Sequence, residues 1–186
     1  MLRKFERQIL KGIREGEPNA FETVINEHYK SVFGFLAYLC RDTGAAEDLT
    51  QDTFAAAWAN IGNYKKQASI KTWLHRIAYN KFLDSERKSK KYSAIETEFK
   101  EEPSAEKTAF NPLDIAAKDE YSRILYREMQ KLKPDEYTVI VLHYIQNFSY
   151  KEIGNVLKEP VGTIKWRTNQ ALNKLREVLL AGHNHE

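Results

Sequence analysis

Cysteine is nearly absent from this chain: Cys40 is the single one in 186 residues. One thiol excludes an internal disulfide and any Cys-rich zinc site. Its place at the end of an apolar helical stretch reads as core rather than as a reactive group. Long hydrophobic runs are missing too. No run reaches the roughly 18 apolar residues that a membrane span needs, and the mean hydropathy of −0.62 with 30% charged residues argues the same way. The opening Met1-Leu-Arg-Lys-Phe-Glu-Arg7 alternates charge and does not resemble a signal peptide, so a cytoplasmic protein is expected. There is no Gly-rich phosphate loop, no Ser/His/Asp order at useful spacing and no paired-carboxylate signature. The histidines are scattered, and His183-x-His185 reads as a frayed tail, not a metal site. These absences predict a protein that is not an enzyme, with no metal, cofactor or small-molecule substrate.

What remains is helix. No internal repeat and no β-rich segment competes with it. A first amphipathic pattern follows Pro18 and runs to about Cys40, with Phe21, Val24, Ile25, Tyr29, Val32, Phe33, Leu36 and Leu39 inward. A second spans Ala45 to about Ile61 and buries Leu49, Phe54, Ala57, Trp58 and Ile61. Asn63-Tyr-Lys-Lys-Gln-Ala68 is a polar loop, and Ser69 caps a third helix with Ile70, Trp73, Leu74, Ile77, Ala78 and Leu83 as its stripe. Periodicity fails from about Ser85 to Asn111 and resumes near Pro112. The fold class is therefore all-α: two small helical domains, 1–88 and 112–182, joined by a flexible acidic linker at 89–111.

Charge follows that division. Lys71 to Lys91 holds seven Lys or Arg against two acids, a net of +5. Glu96 to Glu120 holds eight acids against three Lys, a net of −5. The final helix is basic again. Two basic blocks around an acidic one fit two nucleic-acid-facing modules and a connection that avoids DNA.

The second domain closes on Ser149-Tyr-Lys-Glu-Ile-Gly-Asn-Val-Leu157 and Pro160-Val-Gly-Thr-Ile-Lys-Trp-Arg-Thr-Asn-Gln-Ala-Leu-Asn-Lys-Leu-Arg176. Ser149 and Glu152 form a Ser-x-x-Glu capping box, Ile153 and Val156 share a face, and Pro160 separates two helices. The later helix buries Ile164, Ala171, Leu172 and Leu175. Its other faces carry four cations and no acid between Val161 and Arg176. A helix apolar behind and cationic, amide-rich in front suits the major groove, so the pair reads as a DNA-binding helix-turn-helix. Lys165, Trp166, Asn169 and Gln170 are the candidates for base edges, with Arg167 and Lys174 nearer phosphate. Gly162 either lets backbone approach the phosphates or is a plain helix-start glycine.

The first domain carries two further surfaces. Glu47, Asp48, Gln51 and Asp52 lie on one helix face, with no Lys or Arg from Ala45 to Ile61. DNA is repelled by such a face, so its partner should be a protein. The loop at 63–68 and the helix after it interleave cations with aromatics and amides, as single-stranded DNA requires. Trp73 lies on the apolar stripe and reads as core rather than stacking. Arg76, Lys81, Arg87 and Lys88 suit backbone contacts that set affinity and salt dependence.

Three strings together, Ala46-Glu-Asp-Leu-Thr-Gln-Asp-Thr-Phe-Ala-Ala-Ala-Trp58, Ser69-Ile-Lys-Thr-Trp-Leu-His-Arg-Ile-Ala-Tyr-Asn80 and the helix-turn-helix, resemble regions 2.2, 2.3–2.4 and 4.2 of the extracytoplasmic-function group of sigma-70 family sigma factors. The resemblance covers most of the chain outside the linker. It implies a promoter-specificity subunit whose first domain docks on the β′ coiled coil of core RNA polymerase through Asp48, Gln51, Asp52 and Phe54. It implies that Tyr64, Lys65, Lys66, Ser69, Arg76, Asn80, Lys81, Arg87 and Lys88 serve the −10 element, with the loop and Asn80 holding a flipped base of the single strand. Thr163, Lys165, Trp166, Arg167, Asn169, Gln170 and Lys174 would serve duplex DNA at the −35 element, and the β flap and an anti-sigma factor, often membrane-anchored, are the further partners implied. Trp166 stands where a small residue is usual in that group, and Asn169-Gln170 replaces an aromatic or basic pair. The competing reading is a stand-alone helix-turn-helix regulator of duplex sites, which gives no reason for the loop at 63–69.

Overall fold

In a computed structural model, the chain is described at residues 9–13, 15, 17, 19–65, 67–96 and 120–183. Lys66, His185 and the part of the expected linker from 97 to 111 lie outside the described residues. No β-strand forms among the described residues, and no helix among them is long and apolar enough to cross a membrane. They fall into two compact units, divided between residues 109 and 110.

The first unit packs three helices, α1 (Ala20–Cys40), α2 (Thr43–Asn60) and α3 (Ile70–Glu96), each against the other two. Arg41 ends α1 in a left-handed conformation (φ 56°), its N–H donating to the Ala37 carbonyl at 3.0 Å. The next residue, Asp42, caps α2 by accepting from the Ala45 N–H at 2.8 Å. That two-residue connection makes α1 and α2 an antiparallel hairpin. Val24, Val32, Phe35, Leu36, Phe54, Ala57, Ile70, Leu74 and Ala78 fill the core. Phe35, which periodicity does not single out, is fully buried. Buried Thr50 and Thr53 donate to the Ala46 and Leu49 carbonyls, so their hydroxyls enter the core satisfied.

Two aromatics depart from the expected stripe. Trp58 is 57% exposed, with its ring edge-on to Phe21 at 5.0 Å, and Tyr29 is exposed while stacking on Phe33 and Phe54. The 3.6-residue period places both at the stripe's margin, where the short residues of α2 (Ala46, Thr50, Ala57) let the helices close without them. Helix α3 continues past 88 to Glu96. Its turns from Asp84 to Lys91 are polar and exposed, so no apolar period signals them.

The second unit holds α4 (Glu120–Met129), α5 (Pro134–Ile140), a π turn at Val141–Ile145, α6 (Tyr150–Leu157) and α7 (Val161–His183). Helix α7 packs on α4, α5 and α6. The Ser149 and Glu152 box is made as expected, with Ser149 N donating to Glu152 Oε2 at 2.9 Å and Glu152 N to Ser149 Oγ at 3.3 Å. Lys158 takes the left-handed position (φ 58°) that closes α6. The chain then folds back so tightly that a Cβ on Gly154 would stand 2.8 Å from the Glu159 carbonyl oxygen. Gly154, not Gly162, is the glycine the helix-turn-helix requires.

Two titratable groups in the first unit are held uncharged. The thiol of half-buried Cys40 is pushed up to about 12 by burial, with Glu86 and Asp42 adding to it, which disfavours a reactive thiolate. Burial pushes His75 down to about 4; its bonds to the Lys71 carbonyl (2.9 Å) and Ser31 hydroxyl (3.3 Å) only partly oppose this. As pH falls below 6.5 the unfolded chain protonates this imidazole first, so stability should be lost down to about 4. Its share is about 3 kcal/mol at most. The His75→Gln variant keeps an amide for the same bonds but cannot titrate. Unfolding followed across that range should show the variant's slope shallower than the parent's; parallel curves would remove His75 as the cause.

Candidate nucleic-acid and polymerase interfaces

Helix α2 turns its acids to solvent. Glu47, Asp48, Gln51 and Asp52 are all exposed, and their one-turn spacing puts them on one side. Phe54, seven residues after Glu47 and so on the same line, is nonetheless buried against Tyr29 and is not free to touch a partner. Trp58 lies eleven residues after Glu47, three turns along the same line, so its exposed indole extends the acidic stripe with an apolar end. Sequence periodicity assigns Trp58 to the core; that it meets Phe21 and yet stays largely exposed is visible only in three dimensions. Asp52 also reaches Lys81 of α3 at 3.6 Å. The two border an open groove of about 490 Å³ shared with Leu49, Asp84, Ser85, Arg87 and Lys88.

The second surface begins at the loop after α2. Tyr64, expected to face single-stranded DNA, is instead 7% exposed: its hydroxyl donates to the Ala68 carbonyl and its ring lies 5.2 Å from that of Trp73. The tyrosine is a staple that sets the loop's path, because a phenol with a carbonyl four residues on has both its polar and apolar parts satisfied inside. Ser69 caps α3, accepting from Thr72 N at 3.1 Å and sharing a hydroxyl contact at 2.8 Å. Lys65 is exposed beside this staple. Arg76 and Asn80 are exposed one turn apart on α3, and Arg87 returns to that face two turns later. Arg87 is 3.3 Å from Asp84, an exposed pair that leaves it accessible to phosphate. Lys88 is exposed, whereas Lys81 is held to Asp52 on the flank.

The third surface is α7. Lys165, Trp166 and Asn169 are exposed, and Thr163 and Gln170 half-buried at its side. Asn173 and Arg176 fall on the same line as Asn169 at spacings of four and seven, are exposed, and belong to this face although base-edge reasoning passes them over. Lys165 lies 6.0 Å from the centroid of Tyr150, whose ring stacks on His143 at 4.4 Å.

Two cations expected at phosphate are paired with acids: Arg167 is largely buried, whereas Lys174 stays 46% exposed. Arg167 is 14% exposed, bidentate on Glu159 at 2.7 and 3.2 Å and 3.6 Å from Asp135. Lys174 meets both oxygens of Glu136 at 2.7 and 2.8 Å. The side chain of Glu136 is 9% exposed. Burial opposes its ionisation, but the Lys174 ammonium and the Lys133 N–H outweigh burial and hold its carboxyl below the usual range. Both cations sit about two-fifths of a turn from the Asn169 line, so the acids of α5 and the inter-helix turn reach them first.

Residues 24–92 match the family model of Sigma-70 region 2, and residues 129–177 that of Sigma-70, region 4. The chain is 31% identical over 179 residues to the ECF RNA polymerase sigma factor SigW of Bacillus subtilis (strain 168), covering 91% of this chain and 94% of that protein. It is 32% identical over 173 residues to the RNA polymerase sigma factor CarQ of Myxococcus xanthus, covering 91% and 95%. Among solved structures it resembles the sigma factor RpoE in complex with the anti-sigma factor NepR from Bartonella quintana, with a TM-score of 0.69, 26% identity and coverage of 87% of this chain and 97% of that one. CnrH, solved with the cytosolic domain of CnrY, shares the fold at a TM-score of 0.69 and 23% identity.

The pairing of Lys174 with Glu136 separates a stabilising role from a phosphate-binding one. Lys174→Met should leave the buried Glu136 without its cation and cost about 1–3 kcal/mol in denaturant unfolding. Its salt slope for promoter binding should stay that of the parent. Unchanged stability with the slope reduced by about one phosphate contact would return Lys174 to the DNA.

Proposed function

Because the chain belongs to the extracytoplasmic-function group of the sigma-70 family and acts as a promoter-specificity subunit of RNA polymerase, we propose that its three exposed faces divide the work of initiation. The observation that supports this division is the separation of charge: α2 exposes acids and carries no cation, while the outward lines of α3 and α7 expose cations and amides. An acid-only helix is repelled by DNA and attracted by a cationic protein surface. Glu47, Asp48, Gln51 and Asp52, with the Trp58 indole beside them, therefore take the β′ coiled coil of core polymerase. Aromatic side chains at the edge of a polar patch carry much of the energy of such contacts.

On α3, Arg76, Asn80 and Arg87 with Lys65 hold the non-template strand of the −10 element, and the Tyr64 staple keeps the loop open for an extruded base. On α7, Lys165, Trp166, Asn169, Asn173 and Arg176 face the −35 duplex, and the second unit meets the β flap. The segment between α3 and α4 is the connection between region 2 and region 4. The chain itself carries out no catalysis: polymerase supplies the chemistry and this subunit the address and strand opening. It works where the polymerase is, in the cytoplasm. The RpoE relative was solved bound to an anti-sigma factor, which supports a protein of that kind as the negative regulator here.

Run-off transcription with purified core polymerase tests the function directly. Adding the chain should yield new transcripts with defined starts from promoter fragments. Tight duplex binding by the chain alone, with no new transcripts, would favour the stand-alone regulator. Within that assay, Asp52→Lys should weaken core affinity roughly tenfold or more while unfolding stays within about 0.5 kcal/mol of the parent. Equal affinity for core would sink the α2 assignment. Asn80→Ala should slow promoter opening, read by permanganate reactivity of unpaired thymines, with core binding unchanged. Loss of both together would instead make Asn80 a structural residue.

A further inference from the structure

With Arg167 and Lys174 paired to acids, the outward line of α7 is unusual in one respect. Among its exposed cations and amides stands an indole: Trp166 is 62% exposed, in sequence between Lys165 and Asn169. One turn earlier stands Gly162, where a Cβ would meet nothing within 4 Å. The indole thus has open space on its N-terminal side. Exposing it to water brings the fold nothing, and the whole line from Val161 to Arg176 lacks an acid. Charge complementarity therefore favours duplex DNA as its occupant over a protein. Residues in the first turns of such a helix are those that reach base edges.

In the major groove, one group on the base edges is apolar, the 5-methyl of thymine. The carbonyl O4 beside it accepts a hydrogen bond. An indole offers an apolar face and one N–H donor. We infer that Trp166 reads a thymine of the upstream promoter element by packing its ring on the 5-methyl group. Lys165 and Asn169 contact the neighbouring pairs through purine N7, O6 or N6. This rests on the assignment of α7 to the −35 duplex and names the base chemistry that α7 selects.

Uracil isolates the inferred contact, because it keeps O4 and loses only the methyl. Holoenzyme assembled from core polymerase and the full chain is first presented with promoters randomised through the upstream element. Each preferred thymine, on either strand, is then replaced singly by deoxyuridine in synthetic duplexes. At one position the parent should lose about fourfold in promoter occupancy, the worth of one buried methyl (~0.8 kcal/mol). Trp166→Ala, an exposed site whose loss leaves unfolding unchanged, should show no uracil penalty there. A penalty that persists in Trp166→Ala, or no penalty at any thymine, overturns the inference. Transcripts without a thymine preference overturn it too and leave the sigma reading standing. If Trp166→Ala weakens core binding in the absence of DNA, the indole belongs to a protein contact and the inference falls. No transcripts from any promoter would remove the sigma assignment itself.

Discussion

Carboxylates decide which cations of this protein are available to a partner. On α7, the acids Asp135, Glu136 and Glu159 draw Arg167 and Lys174 to one side. Lys165 and Arg176 stay on the other side, exposed beside Asn169 and Asn173. The same pairs hold α7 to α5 and to the turn after α6, so the contact that orients the helix also prunes its charge. A buried Glu136 facing an uncompensated core would cost several kcal/mol. With Lys174 on both oxygens and the Lys133 N–H on one, the group is satisfied and the helix position is specified. The orientation of α7 and the pairing of its cations thus follow from one constraint, the need to neutralise Glu136, the acid of the three that the fold buries.

That constraint explains which parts of the protein were legible in its sequence. The Ser149–Glu152 box and the acid face of α2 depend on neighbours within four residues, and each stands as the sequence predicts. Arg167, Lys174, Tyr64 and Trp58 did not reveal their surroundings. The partner of Lys174 lies 38 residues away, and a basic residue on a basic helix looks the same whether it meets phosphate or Glu136. Tyr64 closes a short loop on itself, and composition alone does not distinguish an aromatic that stacks on a base from one that staples a turn. Trp58 failed in the opposite direction. Periodicity marks an apolar residue near the stripe but is silent on whether the neighbouring helix reaches that far.

Glycine tells a similar story. Gly162 invites a functional role because it opens the recognition helix, yet space around it is unoccupied. Gly154, inside α6, is the one pressed against backbone, at a distance no side chain tolerates. A glycine inside a short helix costs about 1 kcal/mol in propensity. Here it is tolerated because the chain must turn back over three residues, Lys158 to Pro160, to begin α7. The angle between α6 and α7 therefore depends on a residue with no side chain.

These elements assign two kinds of work to two kinds of surface. Duplex reading asks for a rigid helix with its side chains fixed by packing behind them, and α7 meets that through Ile164, Ala171 and Leu175 in the core. Capturing an unpaired base asks for a loop shaped in advance, because ordering a loose loop at the moment of melting would consume binding free energy that is needed to separate the pairs. The Tyr64 bond to Ala68 and the Ser69 cap do that ordering before DNA arrives. The side chains best suited by type to touch the single strand are, in the case of Tyr64, already committed to shaping the loop that Lys65 and Asn80 present. The residue that looks most like a reader is part of the scaffold, and under the proposed division the exposed cations and amides around it are left to do the reading.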